Sequence, residues 1–169
     1  MTATETADLL RRIQRLEAIH EIEQLKYRYW RACDRKDPDA FRECFVREGA
    51  DIDYGVIGKF SDREPLVQVF AQIATARTAQ GTWLVHDIHH GKHPTVELID
   101  ERSATGEWTL WFMQVNNQDK TVTQLSMEYR DTYVIEDGRW KIAKSHVTPM
   151  STLSFPLPEG AFVASIPVR

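Results

Sequence analysis

The chain predicts an α+β fold, with helices gathered in its first half and an antiparallel sheet following them. Three observations carry this reading. Apolar residues recur every three or four positions from Leu9 to Ala32. After Gly81 the chain turns to runs in which Val, Thr, Trp and Tyr alternate with polar residues. Turn dipeptides separate those runs. Helices first and strands afterwards place the helices against one face of a sheet.

Taken in order, Leu9, Ile13, Leu16, Ile19, Ile22, Leu25, Tyr29 and Ala32 form one apolar helical stripe, uninterrupted by Gly or Pro up to about Asp34. In "RKDPDAFRECF", Asp37 can cap a second helix, Pro38 suits its first position, and Phe41, Cys44 and Phe45 give it an apolar face. "GADIDYG" alternates between glycines and reads as a short strand. Ser61 with Glu64 forms a capping box ahead of Leu66, Val67, Phe70 and Ile73, predicting a third helix that ends near Gly81. "PTVELI", "ATGEWTLWFMQV", "TVTQLSMEYRDTYVI" and "RWKIAKSHVT" are the main strands. Asp100–Glu101, Asn116–Asn117 and Asp137–Gly138 turn between them. One domain over residues 1–169 is expected, with 149–169, which holds Pro149, Pro156, Pro158 and Pro167, as an extended C-terminal arm.

Composition narrows the function. The 169 residues carry a net charge of −4 with scattered basic residues, which argues against a nucleic-acid footprint. No apolar run is long enough for a bilayer span, and the first residues lack the pattern of a secretory signal. Two cysteines, Cys33 and Cys44, fit a reducing compartment, so a cytoplasmic protein without disulfides is expected.

"LVHDIHHGKHP" holds His86, His89, His90 and His93, four of the six histidines. Zinc needs three or four ligands on converging vectors. Along a strand His86 and His90 share one face and His89 the other, so no metal is expected here. Proton chemistry needs only one imidazole and one orienting carboxylate. Asp34, ending an apolar helix face near Trp30, can supply the carboxylate; its other reading is a solvated helix end. Trp30, Tyr29, Tyr54, Trp108, Phe112 and Tyr129 are candidate pocket aromatics, against the alternative of simple core packing. His86 is expected at the pocket entrance, and His146, on the last strand, is expected to face inward as either a substrate contact or a structural histidine.

Three stretches together resemble the SnoaL-like group of the nuclear transport factor 2-like superfamily: "EIEQLKYRYWRACDRKDPDAFRECF", "HHGKHPTVELIDERSATGEWTL" and "YRDTYVIEDGRWKIAKSHVT". The resemblance spans about Ile19 to Thr148. It implies a cone-shaped α+β barrel, also called cystatin-like, in which a strongly curved antiparallel sheet and three N-terminal helices enclose a pocket. The first two stretches are similar to bile acid dehydratase, hexachlorocyclohexane dehydrochlorinase and scytalone dehydratase. That similarity makes Asp34 and His89 a catalytic pair, with Tyr29 and Tyr54 as pocket tyrosines. Phe112 and Pro149 stand near positions where the bile acid enzyme uses an acidic residue and an arginine, so steroid specificity is not implied.

The function this implies is a dehydratase or related lyase without a cofactor. It would abstract a proton next to a carbonyl in an apolar ring substrate such as a polyketide, steroid, terpenoid or aromatic catabolite. Isomerase and cyclase chemistry would use the same groups. The alternative is a non-catalytic ligand-binding protein or a structural subunit, as in ring-hydroxylating dioxygenases, since one fold hosts many functions. A homodimer or homotrimer through the sheet face is expected, because the outer face of an open, aromatic-rich sheet needs covering.

Overall fold

The computed structural model describes residues 1–161 and Val163. Helix α1 runs Ala3–Arg35, opened by a capping box in which the Thr2 hydroxyl accepts from the Glu5 amide. It closes at Lys36, which takes the left-handed conformation (φ 59°) and donates its backbone N–H to the last carbonyls. Burial is confined to the C-terminal half, where Ile22, Leu25, Tyr29, Trp30, Ala32 and Cys33 face the sheet. Leu9, Leu10, Ile13 and Leu16 are exposed, so the first part of the predicted stripe has nothing against it among the described residues.

Helix α2 is Pro38–Arg42, capped by the Asp37 carboxylate on the Ala40 amide. Helix α3 is Arg63–Ala74. Its cap is Asp62, which accepts from the Glu64 amide, and not the expected Ser61. It also stops seven residues short of Gly81. Thr75 bonds back to the Ala71 carbonyl, and the chain then folds into a turn closed by Arg77 and Trp83.

Six strands form one sheet in the order β2-β1-β6-β5-β4-β3. They are β1 Asp51–Asp53, β2 Lys59–Phe60, β3 Val85–Leu98, β4 Ser103–Asn116, β5 Thr121–Glu136 and β6 Arg139–Pro156. A 3-10 turn, Gly55–Ile57, links the first two. The four long strands after Gly81 pair antiparallel as expected, and the short β1 that precedes them lies parallel to β6. The two are far apart in the chain, and the long connection between them permits that sense.

Strand β3 joins the histidine segment to "PTVEL" in one continuous element. Pro94 cannot donate to the ladder, so pairing with β4 steps from Lys92 to Thr95 across an irregularity in which His93 has φ 52°. The predicted arm is corrected in part, because Pro149 to Pro156 belongs to β6 and pairs with β5. Beyond His146, β6 has no strand on its other side among the described residues, and prolines are tolerated on such an edge. Most of the remaining arm lies outside the described residues.

The three helices and the curved sheet form an α+β cone. Its core is the seam between α1 and the sheet, filled by Trp30, Phe41, Phe45, Trp108, Tyr133 and Ile142. Gly91 lets α1 approach β3 closely. A Cβ there would fall 1.9 Å from the Trp30 ring, so only glycine fits beneath the indole. No helix among the described residues is long and apolar enough to cross a membrane.

Candidate active site

The inner face of the sheet is set by strand alternation and register. Asp87, His89 and Gly91 share one side of β3, while His86, Ile88 and His90 share the other. Across the ladder, Asp87 pairs with Gln114 and Gln114 with Thr123; His89 pairs with Phe112 and Phe112 with Leu125. The inward side chains therefore lie in rows perpendicular to the strands. The Asp87 row is polar, and the His89 row beside it is otherwise apolar. Helix α3 closes the opposite wall with Leu66, Phe70 and Ile73, and a cavity of about 320 Å³ remains between them.

Asp34, in the last turn of α1, meets His89 at this wall. His89 Nδ1 is 2.6 Å from Asp34 Oδ1, and the same oxygen accepts the His89 backbone N–H at 3.1 Å. An ionised carboxylate only accepts, so Nδ1 carries the proton and donates it. Nε2 is left with its lone pair. The imidazole is also held edge-on to Phe112, with ring centroids 4.8 Å apart. The His89 side chain keeps 13% of its surface exposed, which suits a group that must meet a ligand.

A second bridge runs beside the first. Lys36, at the C-cap of α1, pairs with Asp87 Oδ1. The two bridges, 34 to 89 and 36 to 87, tie the end of α1 to β3 as consecutive rungs.

Tyr29, Tyr54 and Tyr129 also line the cavity. Tyr29 donates its hydroxyl to Tyr54 at 2.9 Å, and Tyr54 donates onward to Ser145 at 3.3 Å. Burial pushes the Tyr29 and Tyr54 hydroxyls well above the usual range, and Tyr129 is raised for the same reason. All three therefore stay protonated and able to donate at neutral pH. Behind them Lys26 and Asp131 form an ion pair of 2.7 Å with both side chains wholly buried. The ammonium lies 3.8 Å from the Tyr129 ring centroid and 4.7 Å from that of Tyr29. Burial lowers the Lys26 pKa despite its partner.

The structure thus brings Asp34, His89, Tyr29, Tyr54, Phe112 and Tyr129 to one cavity wall or directly behind it. Four other expected pocket residues lie elsewhere. Trp30 and Trp108 are core: each is at most 4% exposed, they pack edge to face, and the Trp108 indole donates to the Tyr133 hydroxyl at 2.9 Å. His146 faces Asp51, with Nε2 2.9 Å from its carboxylate, because Val147 takes the inward position. His86 points to the outer face, opposite His89. His93 bonds the Thr109 hydroxyl at 2.6 Å, so the histidine vectors diverge. Among the described residues, no cluster of His, Cys, Asp or Glu is placed to hold a metal ion.

Sequence reasoning missed Asp87, Gln114, Thr123 and the α3 side chains. The parity of Asp87 with His89 was available in the sequence. The other two strand residues follow only from the register of the hairpins.

Residues 14–146 match the SnoaL-like domain family, and the chain belongs to that family. It has the fold of the nuclear transport factor 2-like superfamily. No curated protein sequence matches it. Among solved structures, it is similar to a candidate scytalone dehydratase from Novosphingobium aromaticivorans, with TM-score 0.74 and 19% identity over 89% of this chain and 98% of the other. It is also similar to a hexachlorocyclohexane dehydrochlorinase from Novosphingobium barchaimii, with TM-score 0.73 and 17% identity over 90% and 99% of the two chains. A cystatin-like protein of unknown function from Nostoc punctiforme gives TM-score 0.59 and 19% identity over 77% and 89%. At these identities the likeness is one of fold.

Proposed function

We propose that this protein is a small-molecule lyase of the dehydratase type, and that His89 is its general base. The observation that carries the reading is the 2.6 Å contact between His89 Nδ1 and Asp34 at the wall of an open, mostly apolar cavity. His89 Nε2 takes a proton from the carbon next to a substrate carbonyl. Asp34 fixes the tautomer and stabilises the imidazolium that forms. Tyr29 or Tyr54, turning its hydroxyl from its present partner, donates to the carbonyl oxygen as enolate charge develops. When the bond to the β-oxygen breaks, the imidazolium returns its proton to the departing hydroxide, which leaves as water. The substrate is an apolar ring compound, since most of the wall is apolar, with Phe41, Phe70, Leu110, Phe112, Leu125 and Met127 among its residues. The relatives named for dehydration and dehydrochlorination on this fold support the same class of elimination. An intact pair beside unfilled space favours catalysis over a purely structural or binding role.

Exchange of α-protons in deuterated water tests this with a ring ketone such as 1-tetralone, followed by proton magnetic resonance. His89→Ala should slow the enzyme-dependent exchange about 10²–10⁴-fold. Asp34→Asn should lose much of the same factor, and the double variant should be little worse than the worse single one. Exchange that survives His89→Ala at the full rate sinks the assignment.

Self-association through the outer sheet face belongs to the same proposal. Ile88, Trp111, Leu153 and Phe155 lie on the outward parity of β3, β4 and β6 and are exposed, forming an apolar surface that a second copy would cover.

A further inference from the structure

Basic residues that are scattered along the sequence are gathered by the fold at a second cavity, of about 680 Å³. It shares no lining residue with the cavity at His89. Arg28, Arg31 and Arg35 recur at three- and four-residue spacing, so they stand on one face of α1. Arg139 and Lys141, at the start of β6, line the same space. The cations of the two elements converge near Cys44. Burial pushes that thiol up to about 11, while the Arg28 and Lys141 charges pull it down. Two carboxylates also reach the cavity, and both are engaged. Glu43 pairs with Lys141 at 3.3 Å, and Asp37 accepts the Ala40 amide at 2.9 Å. Arg28, Arg31, Arg35 and Arg139 are exposed and have no hydrogen bond or ion pair among the described residues. Arg11, Arg42, Arg47, Arg63 and Arg130, by contrast, each meet a carboxylate.

Four guanidiniums around one concavity repel one another unless a counter-charge enters, and a cleft lined by one sign of charge concentrates anions. The planar fork of arginine matches the oxygens of a phosphate group. Four such forks, drawn from two elements, exceed what a single phosphate engages. The space is also far larger than a phosphate and falls in the range of small-molecule sites, roughly 300–1,000 Å³. Between the cations its wall is apolar, formed by Ala32, Cys44 and Trp140. We propose that this cavity binds an organic diphosphate, with the charged oxygens on Arg28, Arg31, Arg35 and Arg139 and the carbon body against Ala32, Cys44 and Trp140. The site does not depend on the reaction at His89.

Calorimetry on the full chain tests this with ADP and isopentenyl diphosphate, which share the diphosphate and differ in the carbon body. At least one should bind, and its affinity should fall as salt is raised. Arg31→Gln and Arg139→Gln, on different elements, should each weaken binding about tenfold. Both side chains are exposed, so neither change disturbs the core. Arg12→Gln, which removes an exposed arginine from another part of α1, should leave the affinity unchanged, and so should His89→Ala. Failure of both diphosphates to bind, or binding insensitive to Arg31 and Arg139, overturns the site. Loss of binding in His89→Ala overturns it by placing the ligand in the other cavity. Citrate bound as tightly as the better diphosphate overturns the choice of phosphate over carboxylate. Association with phosphatidylglycerol vesicles, with neither soluble diphosphate bound, overturns the proposal in favour of a membrane surface.

Discussion

Asp34 does two things with one oxygen. It accepts the imidazole N–H and the backbone N–H of the same residue, so His89 is fixed at both its ring and its main chain. Asp34→Asn should keep much of that placement, because an amide oxygen can still accept both bonds, but it loses the charge that stabilises imidazolium. Lys26 poses a different problem at the same scale. A lysine with no exposed side-chain surface is tolerable only while Asp131 faces it. Lys26→Met would leave that carboxylate buried and unpaired, beneath the tyrosines. Such a variant should lose about 3–5 kcal/mol of stability in urea denaturation. A loss below about 1 kcal/mol would show that water or rearrangement relieves the charge. The family resemblance is what singled out Asp34, His89, Tyr29 and Tyr54 in the sequence, and they meet at one cavity wall. Trp108 and His146 were misplaced, because which face a strand residue takes depends on register and not on residue type.

At the scale of elements, the site depends on how α1 lies on β3. One hydrogen-bonded rung, one ion-paired rung and one indole hold that contact, and the indole sits on a glycine. Gly91→Ala would drive a methyl group into Trp30, and the helix must lift or the ring must turn. The expected cost is about 1–3 kcal/mol of stability. Proton transfer should suffer as well, since lifting the end of α1 pulls Asp34 from His89. Paired measurement of denaturation midpoint and α-proton exchange checks this; a variant that loses stability with exchange unchanged would show the two rungs to be independent of the Trp30 contact. Periodicity, cap residues and turn signals located α1, α2 and the body of each long strand, and the family resemblance supplied the histidine-bearing half of β3. None of these could show that β1 would lie parallel to β6, or that Pro149 would continue a strand, because both depend on which neighbour an edge acquires. The cap of α3 moved by one residue because Asp and Ser compete for the same job, and Asp62 reaches the Glu64 amide.

Among the described residues, two apolar surfaces have nothing upon them: the outer face of β3, β4 and β6, and the N-terminal half of α1. The proposed self-association draws on the first. Trp111 and Leu153, on β4 and β6 at either side of β5, are 40% and 57% exposed on the same face of the sheet. Sedimentation velocity over a dilution series should show a dimer or trimer, and Trp111→Glu should shift it toward monomer. A monomer at all concentrations would remove the proposal. The cone itself was legible at this scale from the order of elements and the family motifs. The polar row of the cavity was not, because Asp87, Gln114 and Thr123 come from three strands and meet only through pairing.

The rungs between α1 and β3 join residues 55 and 51 positions apart in the chain. One side of each rung belongs to a helix that can form from local contacts alone. The other belongs to a strand held in place by β4, which is held in turn by β5 and β6. Local structure precedes such distant pairing when a chain collapses, since loop closure must come first. Under the proposed function, competence for proton transfer is therefore a late event in folding. A nascent or partly unfolded chain can carry every one of these side chains, and even the complete helix, without Asp34 in reach of His89. The pair is assembled only by the closing of the sheet.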